Sequence, residues 1–294
     1  MSTCKGIILA TCLYFSWNII AQAAELNWSG CEISRTAYIN DLAPAFEAQT
    51  GTHINLRTGG DSTHGIRDVE SGIADIVSTS HDSLAQEQRE SGVELVPIAW
   101  NALKIIVNKD NPVTSLSLDQ LQAIFSGEIT NWSELGGGKQ NIEVYVYLQD
   151  KSAARRIREI LFTDNSRIIK PGRTFNATES LELALMKNPH AIAISGDNDA
   201  DTSNVNIVAV DGVMPSVENL KSGDYRLYSP LYLAYNPSSS KIDAIRGFIT
   251  YLNSKPARDI MRSNGVVPYT EALSLVMKKV RDNEASYPLT VDKL

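Results

Sequence analysis

The chain has 294 residues, a formal net charge of −7 and 43% hydrophobic residues. An acidic surface is not attracted to nucleic acids or to anionic membranes, so this charge argues against both as general partners. A chain of this length usually exceeds what one small hydrophobic core can organise, and two lobes are therefore expected.

Residues 1–23 have the pattern of a cleaved signal peptide. Lys5 gives a positive start, residues 6–20 are mostly apolar, and residues 21–23 (Ala-Gln-Ala) carry the small side chains that signal peptidase recognises. The apolar run is short and is interrupted by Ser16 and Asn18, which disfavours the alternative of an uncleaved membrane anchor. We therefore expect a secreted mature protein that begins at Ala24.

Metal and disulfide chemistry is not expected in the mature chain. Two of the three cysteines lie in the leader, which leaves Cys31 without a partner for an internal disulfide. The four histidines lack the close spacings that zinc sites use. They are His53, His64, His81 and His190.

Predicted strands and helices alternate from the start of the mature chain. The predicted order is a strand at 26–29, a helix through Tyr38, Leu42 and Phe46 that stops at Gly51, a strand at 53–57, a helix face of Ile66, Val69 and Ile73, and a strand at 74–78. Such alternation indicates a mostly parallel sheet with helices on its faces.

Later strands divide the chain into two lobes. Apolar strands are predicted at 95–100, 103–107 and 231–235, and helices return from residue 236, with Ile242, Ile245, Ile249 and Leu252 on one face. A chain that leaves one lobe, builds a second and returns makes two crossings, which form a hinge beside a cleft. We expect lobe 1 to comprise residues 24–103 and 233–294, and lobe 2 to comprise residues 104–232.

Three stretches carry a family resemblance. They are residues 92–99 (GVELVPIA), residues 117–137 (SLDQLQAIFSGEITNWSELGG) and residues 210–233, which contain VDGV and end in PLYL. They resemble the phosphate-type periplasmic substrate-binding proteins of ABC transporters. The resemblance implies the α/β, two-lobe type II periplasmic binding fold with two hinge crossings. It also implies a monomer in the periplasm that needs no cofactor and binds a small anion, phosphate before others, for an ABC permease or a membrane sensor.

The most specific of these stretches has a structural explanation. Ser117 and Gln120 have the spacing of a capping box at the start of a helix, and Gly127 is suited to end it. Trp132 is expected to pack beneath the loop that follows. This stretch therefore predicts the scaffold more than the ligand contacts.

Four loops are candidates for the ligand site, because relatives hold the anion with hydroxyls and helix N-terminal amides. In the first loop, Glu32 stands where a hydroxyl is expected and Ser34 follows two residues later. A carboxylate there repels a dianion unless it is protonated or turned away. In the second loop, Ser62 and Thr63 are either ligands or caps of the helix that follows, and both roles are compatible.

The third and fourth loops also depart from the family. Ser80 matches a position that is Asp or Ser in relatives, and His81 replaces a frequent arginine. In the fourth loop Ser152 is kept, but two glycines and an upstream arginine are lost. Arg155, or its neighbour Arg156, either neutralises the anion or is a solvated helix charge.

The bound anion adds a requirement of its own. A protonated phosphate needs a hydrogen-bond acceptor, for which Asp61, Asp82 and Glu32 are open alternatives.

The drift in the ligand loops leaves a second hypothesis open, namely a protein that keeps the fold but serves as a sensory or envelope interaction partner. A hydrolase is disfavoured because the sequence has neither a Gly-x-Ser-x-Gly elbow nor a His-Glu-x-x-His helix. Cys31 lacks a placed histidine and is not expected to be a nucleophile. We expect no enzymatic activity.

Overall fold

The structure is a computed structural model that describes residues 24–30, 32–57, 62–80, 92–147, 158–159, 161–162, 168–196 and 205–286. It contains two six-stranded mixed sheets with helices on their faces. The α/β class expected from the alternating pattern is confirmed.

The first sheet has the strand order β12-β4-β11-β3-β1-β2. Its strands are β1 (Glu25–Gly30), β2 (His53–Leu56), β3 (Ile76–Thr79), β4 (Glu94–Ala102), β11 (Tyr228–Tyr235) and β12 (Val267–Pro268). β1 runs parallel to both β2 and β3, whereas β11 is antiparallel to β3 and to β4. The carboxyl ends of β1, β2 and β3 therefore share one edge.

The second sheet has the strand order β6-β10-β5-β9-β7-β8. Its strands are β5 (Lys104–Asn108), β6 (Ser115–Leu116), β7 (Glu143–Tyr147), β8 (Arg173–Phe175), β9 (Ala191–Ser195) and β10 (Val205–Val210). β7 is parallel to β8 and β9, and β5 is antiparallel to β9. The first residue of β5 consequently lies at the edge where β9 ends.

Helices cover both faces of each sheet. They are α1 (Glu32–Ser34), continued by a π-helical turn (Arg35–Ile39) into α2 (Asn40–Thr50), then α3 (Ser62–Glu70), α4 (Leu118–Ser126), α5 (Thr178–Met186), α6 (Val217–Ser222), α7 (Ile242–Leu252), α8 (Lys255–Ser263) and α9 (Leu273–Ser286). Two 3₁₀ turns span Trp132–Leu135 and Tyr269–Glu271. In the described ranges, none of these helices is both long and apolar enough to cross a bilayer.

Each sheet has a core on both of its faces. In the first sheet, Phe46 of α2 packs against Phe248 of α7, with ring centroids 5.1 Å apart, while Ile66 of α3 packs with Val77 on the opposite face. In the second sheet, Leu121 of α4 packs with Ile105, and Leu181 of α5 packs on the other face. Successive strand residues point to opposite faces, so one buried strand serves both cores.

Local sequence signals placed several helix ends correctly. Ser117 and Gln120 form the predicted capping box, and Gly127 ends α4 at φ 75°. Trp132 is buried, and its Nε1 donates to the carbonyl oxygen of His190 at 2.9 Å, which confirms the expected packing. The prediction for Ile73 was wrong, because α3 ends at Glu70 and Ile73 is 47% exposed in the turn that follows.

Two segments that cross between the sheets are bonded to each other. The amide of Leu103, between β4 and β5, donates to the carbonyl oxygen of Leu227 at 2.8 Å. The hydroxyl of Tyr225 in turn donates to the carbonyl oxygen of Leu103 at 2.7 Å, and both contacts lie immediately before β11. The two crossings therefore form one hydrogen-bonded hinge.

Candidate functional site

The carboxyl edge of the first sheet collects three of the predicted ligand loops. α1 follows β1 and contains Ser34, α3 follows β2 and begins at Ser62 with Thr63 next, and Ser80 directly follows β3. Because β1, β2 and β3 are parallel, the three loops leave the sheet at the same edge. Unpaired amides at the start of a helix provide partial positive charge there, as an anion site requires.

Ser80 is buried directly after the end of β3. The residue is 6% exposed, and its carbonyl oxygen accepts a 3.4 Å hydrogen bond from the hydroxyl of Ser229. Its own hydroxyl makes no hydrogen bond to another residue in the part of the chain that the structure describes. A serine that is buried at a strand end and whose hydroxyl has no partner among the described residues is suited to a ligand contact.

Ser34 differs from Ser80, since it is fully buried and already engaged in an interaction. The backbone of Ser62 and Thr63 forms the first turn of α3, which therefore begins at Ser62 itself. His81, Ser152 and Arg155 lie outside the described residues, and so does Cys31.

Ser78 holds this edge together. Its hydroxyl accepts a 2.8 Å hydrogen bond from Nε1 of Trp28 and lies 2.6 Å from the hydroxyl of Tyr38. All three residues are fully buried, and they belong to β3, β1 and the π-helical turn. A satisfied buried network of this kind fixes strands and helix in one arrangement, so it positions the ligand loops without entering the site.

Gly30 allows β1 and β3 to pack closely against each other. A Cβ atom at Gly30 would lie 2.7 Å from the carbonyl oxygen of Ser78 and 2.8 Å from Cζ2 of Trp28. Any larger residue would have to push β1 away from β3, and the loop that enters α1 starts at this point. Glycine at the end of β1 therefore has a steric reason.

Arg35 is a cationic group that sequence reasoning missed. Its Nη2 donates to the carbonyl oxygen of Arg57 at 2.5 Å, and its guanidinium carbon lies 5.0 Å from the ring centroid of Trp28. The side chain thus lies across the ends of β1 and β2. Its position directly after Ser34 in the sequence was the available signal.

The carboxyl edge of the second sheet carries a buried polar pair. The hydroxyl of Ser195, the last residue of β9, donates to Oε1 of Glu182 at 2.9 Å. Ser195 is 2% exposed and Glu182, on α5, is 9% exposed. β7 ends at the same edge, because β7 and β9 are parallel. Ser152 and Arg155 come after β7 in the sequence and lie outside the described residues.

The two edges touch each other. A Cβ atom at Gly196 would lie 2.8 Å from Cδ1 of Ile33 in α1, so the end of β9 packs directly on the start of the first helix. The buried Nδ2 of Asn101 donates to the carbonyl oxygen of Gly196 at 2.8 Å. The candidate site therefore lies where helix starts of the first sheet meet the strand ends of the second.

Metal binding is not indicated by these groups. Among the described residues no cluster of three or more histidines, cysteines or carboxylates is close enough to hold an ion. The polar groups at the first edge are the hydroxyl of Ser80, the helix-start amides and the guanidinium of Arg35, which suit an anion, and the second edge adds the hydrogen-bonded pair of Ser195 and Glu182.

Comparison with known proteins agrees with this fold. The family model described as the PBP superfamily domain matches residues 34–256. The chain is similar to the phosphate-binding protein PstS of Bacillus subtilis, with 27% identity over 269 residues that cover 88% of this chain and 84% of that protein.

Solved structures give the same result. A Clostridium perfringens protein solved with bound phosphate is 25% identical, has a TM-score of 0.73, and the match covers 83% of this chain and 99% of that one. An ABC-type phosphate transport receptor from Vibrio cholerae is also 25% identical, with a TM-score of 0.65 and coverage of 82% and 99%. The family model covers more than half of the chain and includes both hinge segments, so the chain belongs to the PBP superfamily and is similar to phosphate-type substrate-binding proteins.

Proposed function

We propose that this chain is a periplasmic solute-binding protein that captures a small oxyanion, phosphate before others, and delivers it to an ABC permease. The names of its relatives, which include phosphate-binding proteins and a phosphate transport receptor, support this assignment. The observation that carries it is Ser80, a buried residue at the edge where α1 and α3 begin, whose hydroxyl has no partner among the described residues.

Ligand binding in this proposal is physical and not catalytic. Helix N-terminal amides and hydroxyls of one lobe meet polar groups of the other, and the anion stabilises the closed arrangement through contacts to both. A permease then recognises the closed shape. Residues 1–23 act as the signal peptide, and the mature chain works as a monomer with lobe 1 at 24–103 and 233–294 and lobe 2 at 104–232.

The ligand contacts in this proposal come from all four loops. Ser34, Ser62, Thr63, Ser80 and His81 fall within the residue range of the first lobe, and Ser152 and Arg155 within that of the second. Ser80 is the residue to test first, since its burial and its open hydroxyl make its effect separable from that of folding.

Calorimetric titration of the purified protein tests the ligand. We expect phosphate, and arsenate as its close analogue, to bind in a one-to-one ratio, with sulfate weaker. Absence of heat with every anion in the panel would refute the oxyanion assignment and favour an interaction role for the fold.

A substitution then tests the site. Ser80→Ala removes one hydrogen bond to a charged ligand and is expected to weaken phosphate binding by about 10-fold or more. Ser115→Ala, an exposed serine in the second sheet, is the matched control and should leave the affinity unchanged. Unchanged affinity in Ser80→Ala, with wild-type binding intact, would remove Ser80 from the site while keeping the function.

A further inference from the structure

Lys104 occupies an unusual position for a charged residue. It opens β5 and pairs in register with Ser195, the last residue of β9. β5 is antiparallel to β9, so Lys104 lies at the carboxyl edge of the second sheet, where ligand loops of α/β folds are found. The residue is only partly exposed.

Lys104, Ser195 and Glu182 form a small polar cluster at the end of an apolar layer. Along β5 the residue shares a face with Ile106, which packs in the cluster of Leu181, Ala193 and Phe175. At the end of that layer lies the buried hydrogen bond from Ser195 to Glu182. A charge here is far less screened by water than a charge on the surface.

This polar cluster faces the other lobe. Gly196, the residue after Ser195, packs against Ile33 at the start of the first helix and accepts the hydrogen bond from Asn101. Lys104 therefore sits at the junction between the second sheet and the helix start that carries Ser34.

The sequence also explains why a cation is needed here. A dianion in a closed cleft requires more neutralisation than neutral hydroxyls supply. The fourth loop has Leu148 and Gln149 in the region where an arginine is expected from the family resemblance.

We propose that Lys104 provides positive charge for the anion from the second lobe, and that Ser195 and Glu182 are positioning residues beside it. The inference rests on the proposed oxyanion-binding function and adds a residue to its site. Lys104 favours the binding of anions of higher charge, because an ammonium group is a point charge whose attraction depends on the charge of the anion more than on its shape.

Calorimetry with Lys104→Met tests this role, because methionine keeps most of the apolar stem and removes only the charge. We expect phosphate affinity to fall by about 10-fold or more, and the preference for phosphate over a monoanion such as nitrate to shrink. Lys139→Met removes the same charge from an exposed loop and should bind phosphate like the wild type. Lys104→Arg, which keeps the charge, should lose less affinity than Lys104→Met.

A second measurement avoids any folding defect of the variants. Limited acetylation of wild-type lysines, read by mass spectrometry, should modify Lys104 less in the presence of phosphate, with Lys139 unchanged. Equal modification of Lys104 with and without phosphate, or wild-type affinity in folded Lys104→Met, would overturn the role of Lys104 alone. Failure of the wild type to bind any anion would instead overturn the proposed function with it.

Discussion

Tyr225 shows how one side chain can join the two halves of this molecule. It is fully buried, and its hydroxyl donates to the carbonyl oxygen of Leu103 in the other crossing segment. Burial raises the pKa of this phenol far above its usual value. The hydroxyl is therefore neutral and available as a donor throughout the physiological pH range.

Replacing Tyr225 with phenylalanine should destabilise the fold. The substitution leaves the Leu103 carbonyl without its buried donor, so we expect the free energy of unfolding to fall by about 1–2 kcal/mol at pH 7.5. Urea unfolding followed by circular dichroism measures this. Tyr228→Phe in β11 is the control, because the Tyr228 hydroxyl makes no hydrogen bond to another described residue.

The same variant has a defined pH dependence. The pKa of Tyr225 is raised on folding, so its contribution to stability is complete below the unfolded value of about 10 and is lost as pH rises above that value. The stability difference between wild type and Tyr225→Phe should thus narrow between about pH 9.5 and 11. A difference that stays constant over this interval would contradict the assigned ionisation.

Residues whose role depends on local sequence were predictable, and those that depend on distant partners were not. Ser117 and Gly127 act within a few residues of their own positions, and both behave as predicted. Ser195 and Glu182 meet only because α5 packs on β9, and Lys104 reaches them only through strand pairing. No spacing rule along the chain contains that information.

At the scale of elements, the close approach of β1 and β3 gives a sharp test. Gly30→Ala places a methyl group within 2.9 Å of both backbone atoms and the indole that surround it. We expect more than about 2 kcal/mol of lost stability, because backbone cannot move aside as a flexible side chain can. Thermal and urea unfolding measure the loss, and weaker phosphate binding should accompany it.

Gly51→Ala is the matched control for Gly30→Ala. Gly51 ends α2 at φ 73°, with no atom within 4 Å of an added Cβ, so its cost is conformational only. A loss of about 1 kcal/mol is expected there. Equal losses in the two variants would show that the contact between β1 and β3 is looser than described.

The strands and helices were predicted better than the pairing of the strands in the sheets. Alternating strands and helices indicated the α/β class, and the strand at 231–235 was found within the longer β11. The sequence of β11 does not indicate that it lies antiparallel between β3 and β4, because both faces of that strand are apolar. Ile73 was misplaced because its helical spacing continues past the residue where α3 actually ends.

At the scale of the whole molecule, Glu271 joins helices that belong to different cores. It forms ion pairs with Arg262 of α8 and with Lys221 of α6, the latter at 3.3 Å. Ala257 and Met261 of α8 pack in the core of the first sheet, whereas Leu220 of α6 packs in a core of the second. The carboxylate therefore links a helix packed on the first sheet to a helix packed on the second.

Removing the negative charge of Glu271 should destabilise the fold to an extent that depends on pH. Burial alone would raise the pKa of Glu271, but the ion pairs with Arg262 and Lys221 outweigh it and hold the pKa below its usual value. The contribution of Glu271 to folding stability is therefore complete above about pH 4.5 and is lost as pH falls. We expect Glu271→Gln to cost about 1–2 kcal/mol of unfolding free energy at pH 7 and clearly less at pH 3.5, measured by urea unfolding. Glu70→Gln, an exposed carboxylate at the end of α3, is the control. A cost for Glu271→Gln that is independent of pH would mean that packing, and not the ion pairs, joins the lobes here.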